Sequence, residues 1–190
     1  MSERRAASRE RATSRSLLAA RRSHRIGVIA DTHGLIRPEA LADLRGVDAI
    51  LHAGDIGGQH VVAALQEIAP VSFVRGNNDD ADGLEIVRLT IGGLRILLTH
   101  ILPRPGEPRT AIRASLSKEP ADVVIFGHSH LPHNEMVDGV RYFNPASAGP
   151  RRFDFPVAVG IVESDRATHV ALDARSVAAL TKRMNQLSKR

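Results

Sequence analysis

RIGVIADTH (Arg25–His33) is the stretch on which the fold turns. Its apolar part runs almost unbroken instead of alternating with polar residues, as expected of a strand buried on both faces in an α/β sheet. Then it stops at Asp31, with His33 two residues on. The same design recurs in DAILHAGD (Asp48–Asp55), VSFVRGN (Val71–Asn77) and DVVIFGH (Asp122–His128). EIVRLTIGGLRILLTH (Glu85–His100) reads as two strands joined at Gly92-Gly93, a hairpin signal. Five apolar runs therefore finish at Asp31, Asp55, Asn77, His100 and His128, with His130 two residues past the last.

Between the runs lie helix-type stretches. Pro38 and Glu39 open a short helix with Leu41 and Leu44 on one side. Residues 58–69 carry the stripe Val61, Val62, Leu65 and Ile68. Pro108–Leu116 predicts a third helix, and 174–187 a last one with Val177, Leu180, Met184 and Leu187 in step. Residues 132–172 have β-type alternation, with turns at Asp138-Gly139 and around Asp165. The pattern predicts an α/β core, then a β-rich segment, with helices outside.

Composition narrows the function classes. The chain has 190 residues and no Cys, so disulfide frameworks, thiolate metal sites and Cys nucleophiles are excluded. No apolar run approaches the roughly 18 residues that span a bilayer, so no membrane partner is expected. Aromatic residues make up 3 %, with no Trp, which argues against recognition of RNA by stacking. Residues 1–25 hold eight Arg and two Glu; the rest of the chain holds 18 basic and 19 acidic residues. The basic character belongs to a Ser/Ala/Arg-rich tail, residues 1–24, expected to be disordered and without a secretory apolar segment. Residues 25–190 form the expected domain. Nucleic acid enters only as a minority partner of that tail.

In open α/β sheets, ligands bind beyond the carboxyl ends of the strands. The fold thus brings Asp31, His33, Asp55, Asn77, His100, His128 and His130 to one rim. This set offers carboxylate, amide and imidazole donors without sulfur, which suits Mn²⁺, Zn²⁺, Fe, Ni²⁺ or Co²⁺. Seven donors exceed what one tetrahedral ion needs and suffice for two ions if one carboxylate bridges. In Asp-Thr-His and His-Ser-His, an extended turn would point both ends of each triplet the same way. Taken singly, each Asp or His is more often a turn, cap or core residue; the combined spacing is what argues for a site. His52, inside a buried run, reads as a satisfied core or supporting residue.

Asp31-Thr32-His33, Gly54-Asp55, Gly76-Asn77-Asn78-Asp79, Thr99-His100 and Gly127-His128-Ser129-His130, in that order, resemble the calcineurin-like metallophosphoesterase superfamily. The nearest likeness is to its small single-domain bacterial and archaeal phosphodiesterases, and Asn144-Pro145-Ala146-Ser147 is similar to a turn of that subgroup. The resemblance implies a four-layer αββα sandwich, two mixed β-sheets flanked by helices. It implies one ion on Asp31, His33, Asp55 and His130 and another on Asp55, Asn77, His100 and His128, with Asp55 bridging. Mn²⁺ is the leading expectation for both. The implied activity is hydrolysis of a small phosphoester, more specifically a diester, by in-line attack of a metal-bridging hydroxide, in the cytoplasm. Asn78 stands where many members carry His. It can donate a hydrogen bond but cannot deliver a proton near neutral pH. Ile101-Leu102-Pro103 also departs from the family pattern and alters the pocket rim. Arg75, Arg151 and Arg152 are candidate phosphate clamps. The alternative implied by the same resemblance is a non-catalytic metal-binding interaction scaffold, as in a retromer subunit of this fold. The stripe on 174–187 reads most simply as core packing, with a homo-oligomer face as the alternative.

Overall fold

The computed structural model describes residues 24–80, 82–102, 110–164 and 166–188. The expected tail up to residue 23, Pro103, the start of the helix expected from Pro108 and the turn at Asp165 lie outside the described residues.

Every apolar run makes a strand, shorter than the run itself. β1 (Arg25–Ile29), β2 (Ala49–His52) and β3 (Val71–Phe73) pair in parallel, with Ile26 opposite Ala49 and Ile50 opposite Val71. β4 (Ile86–Ile91) and β5 (Leu94–Thr99) form the expected hairpin. Gly92 and Gly93, at φ 59° and 88°, supply the two left-handed residues that a tight hairpin turn needs. β6 (Val123–Ile125) runs parallel to β5. β7 (His133–Val137) and β8 (Val140–Asn144) turn at Asp138-Gly139, and β9 (Ala158–Glu163) pairs with β10 (Arg166–Ala171). The result is two mixed five-stranded sheets, ordered β10-β9-β1-β2-β3 and β4-β5-β6-β8-β7.

The unbroken apolar runs are explained by what covers each face. Ile26, Val28 and Leu51 of the first sheet, with Val74 just past β3, meet Ile96, Leu98, Val123, Ile125 and Phe143 of the second, forming the core between the sheets. Ile29 and Ile50 face the other way, under α1 (Pro38–Asp43) and α2 (Gln59–Gln66), where Ala40, Leu44, Val61 and Leu65 pack on them. Leu97, Val124 and Tyr142 face outward under Ile112 and Leu116 of α3 (Thr110–Lys118). Burying each such large side chain contributes about 1.5–3 kcal/mol. α4 (Ala174–Leu187) packs against β10 and β7, the edge strands on one side of both sheets. The layers are helix, sheet, sheet, helix.

The last helix differs in one respect from the sequence reading. Val177 is exposed, and Ser176 takes the buried position beside Leu180. The reason is polar: the Ser176 hydroxyl accepts the Val157 amide at 2.9 Å, which turns the helix so that position 176 faces inward. No helix among the described residues is long and apolar enough to cross a membrane.

Candidate metal centre

The candidate ligands stand one to five residues beyond the ends of β1, β2, β3, β5 and β6, in loops that backbone bonds tie together. Asp31 N–H donates to the Gly54 carbonyl (3.0 Å), His33 N–H to that of Asp55 (2.9 Å), and Gly127 N–H to that of His100 (3.0 Å). Asp31, His33, Asp55, His128 and His130 all have positive φ, between 46° and 66°. Both ends of each triplet are thus left-handed, not extended as the alternation suggested. Ser129 N–H donates to the Gly127 carbonyl at 2.8 Å, closing a three-residue turn on His128. Such conformations cost a non-glycine residue about 1–3 kcal/mol and cluster at functional sites.

The structure brings all seven donors together. His33 Nε2 and His130 Nε2 are 3.3 Å apart, and His130 Nε2 is 3.5 Å from Asp31 Oδ1. On the other side, His100 Nε2 lies 3.1 Å and His128 Nδ1 2.8 Å from Asn77 Oδ1. Asp55 sits between the groups: Oδ2 is 3.7 Å from His33 Nε2, and Oδ1 is 3.4 Å from His100 Nε2. Asp31, His33 and His130 form one compact set of donor atoms, and Asp31, Asp55 and His100 another.

The electrostatics ask for a cation. Asp31 is fully buried, its Oδ2 has no hydrogen-bond partner, and burial pushes its carboxyl up to about 7. Burial and the neighbouring Arg152 and His33 lower His130 to about 4, and burial also lowers His33. For Asp55, burial acts upward, but hydrogen bonds from His100 and Asn78 outweigh it and hold the carboxyl below the usual carboxylate range. His100 Nδ1 donates to the Ala53 carbonyl at 2.7 Å, which turns Nε2 toward oxygens of Asn77 and Asp55: the protonated ring donates a hydrogen bond there, and the neutral ring presents a lone pair. Lone pairs facing oxygens repel unless a proton or a metal ion stands among them. Burial acts to lower His100, and the Asp55 carboxylate and Ala53 carbonyl overcome it, so the ring's affinity for a proton is raised. The donors, all oxygen and nitrogen, fit borderline divalent ions.

Behind the donors stands a supporting layer. His52 is fully buried and fully satisfied: Gly54 N–H donates to its Nδ1, its Nε2–H donates to Thr32 Oγ1 (2.8 Å), and that hydroxyl donates to the Ile56 carbonyl (2.9 Å). This is the satisfied core role expected of it. The Asp79 carboxylate accepts from the Ile56, Gly57 and Gly76 amides at 2.8, 3.0 and 2.8 Å, fastening the Asp55 loop to the Asn77 loop. Asn144 donates to the Gly127 carbonyl (2.8 Å), and Ser147 to the Asp31 carbonyl (2.9 Å). Sequence reasoning quoted these residues without giving them work. Their one visible signal is polarity inside or just after a buried run. A Cβ on Gly76 would lie 2.0 Å from Asp55 Oδ1, so only glycine admits that carboxylate.

Four further candidates separate. The Asn78 side chain donates to Asp55 Oδ2 (2.7 Å) and its backbone to Oδ1 (2.9 Å), so its amide is engaged with that carboxylate. Arg75 pairs with Glu85 on the wall of a cleft beside Asn77 and His100. Arg151 points away from the donors, to the Phe155 carbonyl, to Asp173 at the start of α4 and to Ser176. Arg152 is the one that reaches the centre: its Nη2 is 3.3 Å from His33 Nε2, and it has no carboxylate partner among the described residues.

Comparison with known proteins bears on these loops. Residues 25–167 match the model of the calcineurin-like phosphoesterase superfamily domain. A probable metallophosphoesterase of Methanothermobacter thermautotrophicus is 35% identical over 150 residues, 74% of this chain and 87% of that one. Phosphodiesterase YfcE of Escherichia coli is 33% identical over 129 residues, covering 63% of this chain and 67% of that one. The crystal structure of Chaetomium thermophilum Vps29 superposes with a TM-score of 0.63 at 19% identity, over 78% of this chain and 98% of that one.

Proposed function

Because the chain belongs to the calcineurin-like phosphoesterase superfamily, we propose that it is a metal-dependent phosphodiesterase with a dinuclear centre. Asp31, His33, Asp55 and His130 would hold one divalent ion, and Asp55, Asn77, His100 and His128 the other, with Mn²⁺ the first choice. The observation that carries this reading is the Asp55 carboxylate: one oxygen faces His33 and the other His100, the arrangement a bridging ligand needs. Ions held by these residues would supply Lewis acidity toward phosphoryl oxygens and would lower the pKa of a bound water.

The chain's own residues do the rest. Asn78 fixes both oxygens of Asp55. Ala53 fixes the His100 tautomer, so that Nε2 faces the centre. Arg152, exposed and without a carboxylate partner among the described residues, would take a non-bridging phosphoryl oxygen and replace solvent there. No imidazole stands at position 78 to protonate a departing alkoxide, so esters of acidic alcohols react best. A curated relative named a phosphodiesterase supports the diester assignment. The scaffold reading rests on likeness of fold to Vps29; against it, all seven donor positions here keep their donors.

The test is hydrolysis of bis(p-nitrophenyl) phosphate by metal-stripped protein with Mn²⁺, Ni²⁺, Zn²⁺ or Mg²⁺ restored. Activity should return with metal and fall at least ~100-fold in Asp55→Asn. A folded protein inactive with every metal, or full activity in Asp55→Asn, would sink the proposal. Calorimetric titration with Mn²⁺ then tells a metal-binding scaffold from a chain that binds no metal.

A further inference from the structure

The cleft beside the second group of donors is lined by Arg75, Asn77, Glu85, Ile86, Ile101 and Ile112, and its back wall is His100. It holds about 100 Å³. Two of its lining residues, Asn77 and His100, are proposed metal ligands, so a group entering the cleft would be a substituent of a phosphoester bound at that centre. The apolar part comes from three separate elements: Ile86 opens β4, Ile101 follows β5 and Ile112 lies on α3. Ile101 belongs to the segment where this chain departs from the family pattern. The mouth carries one charge of each sign, Arg75 and Glu85, in direct contact. Arg75 is held in place by its own amide, which donates to the Leu84 carbonyl (2.9 Å), and by Gly83, where a Cβ would lie 2.7 Å from Arg75 Cβ.

These features select a substituent. An apolar cavity of about 150 Å³ accepts benzene, and pockets for drug-sized ligands run to about 300 Å³ and beyond. A cleft of about 100 Å³, open on one side, therefore encloses a short alkyl group or at most a single ring and is too small to enclose a nucleoside. With Arg75 neutralised by Glu85, the described residues of the wall offer no free cation to a second phosphate or a carboxylate. We infer that this cleft receives one ester substituent of the substrate, and that the substituent is compact, uncharged and largely apolar. The inference deepens the proposed phosphodiesterase reading and rests on it for the position of the phosphorus.

The experiment measures binding and turnover separately on Mn²⁺-loaded protein. Inorganic phosphate, phenylphosphonate, uridine 5′-monophosphate and phosphonoacetate are titrated calorimetrically, and each is tested as an inhibitor of bis(p-nitrophenyl) phosphate hydrolysis. Phenylphosphonate should bind at least tenfold more tightly than phosphate, and uridine 5′-monophosphate no more tightly than phosphate. Ile86→Trp, on a half-buried strand position, should erase the phenylphosphonate preference and leave phosphate binding as it was. Glu85→Gln, at an exposed position, should free Arg75 and tighten phosphonoacetate at least tenfold. Absence of the phenylphosphonate preference, or its survival in Ile86→Trp, overturns the inference, as does failure of phenylphosphonate to bind. If the preference and its loss are seen without turnover of any ester, the cleft assignment stands and the phosphodiesterase reading falls.

Discussion

Asp31 is a buried carboxylate with one oxygen unpartnered, and that costs the metal-free protein stability. The sign follows from its titration. The folded-state value of about 7 lies above the unfolded value of 3.8, so the cost begins near pH 4, grows as pH rises and is complete above 7. Asn fills the same space without the charge. In EDTA at pH 8, Asp31→Asn should be more stable than wild type by roughly 2 kcal/mol, with the gain vanishing near pH 4. The same variant should lose the rise in Tm that Mn²⁺ gives the wild type. Urea titrations at both pH values check the first statement, and thermal melts with and without Mn²⁺ the second. The two adjacent arginines make a second contrast. Arg152→Ala should raise KM for a phosphodiester about tenfold with little change in Tm, whereas Arg151→Ala should lower Tm and spare KM. Its guanidinium ties the 151–155 loop to the start of α4. Kinetics and melts on the pair decide, and equal effects would contradict the assignment.

Loops, more than strands, carry the site, and Asp79 binds two of them with three amide bonds. Asp79→Ala would leave those amides to water or to nothing. It should cost about 1–3 kcal/mol in stability and weaken Mn²⁺ binding more than tenfold, because Asp55 and Asn77 would no longer keep their spacing. Calorimetry on the variant checks this. The sheet elements were legible in the sequence because burial on both faces leaves an unbroken apolar run. The candidate donors were legible because those runs end in Asp, Asn and His, residue types that can hold divalent ions without sulfur. What escaped reading is local geometry. β3 stops at Phe73, four residues before Asn77, and no period marks where pairing ends and a loop begins. The left-handed Asp and His residues were invisible for a related reason: Asp and His adopt positive φ more often than most residues but still rarely, so their identity does not announce it as glycine does. Val177 failed because helical spacing counts apolar residues, and a buried serine hydroxyl with an amide to accept outranked one valine.

Across the whole molecule, two neutral histidines, one fully buried and one half-buried, set the acid limit. Burial lowers His52 to about 3 and His169, whose Nε2 donates to the Asn144 carbonyl (2.8 Å) against the Phe143 ring, to about 4. The unfolded chain binds protons at these rings near 6.5 and the folded chain does not. Stability is therefore fully present above 6.5 and falls as pH drops toward 4, by up to about 1.4 kcal/mol per pH unit for each ring. His169→Gln keeps a donor without a titrating ring, so its denaturation free energy should fall less steeply than wild type between pH 6.5 and 4.5; parallel slopes would refute this. The five left-handed residues have a consequence on a longer timescale. Strain of about 1–3 kcal/mol at each is tolerable only while selection keeps the chemistry. A lineage that stops needing catalysis gains folding stability with each ligand it exchanges for glycine or asparagine. Drift away from enzymatic activity is then thermodynamically downhill on this architecture, and recovering activity is an uphill climb through less stable ancestors.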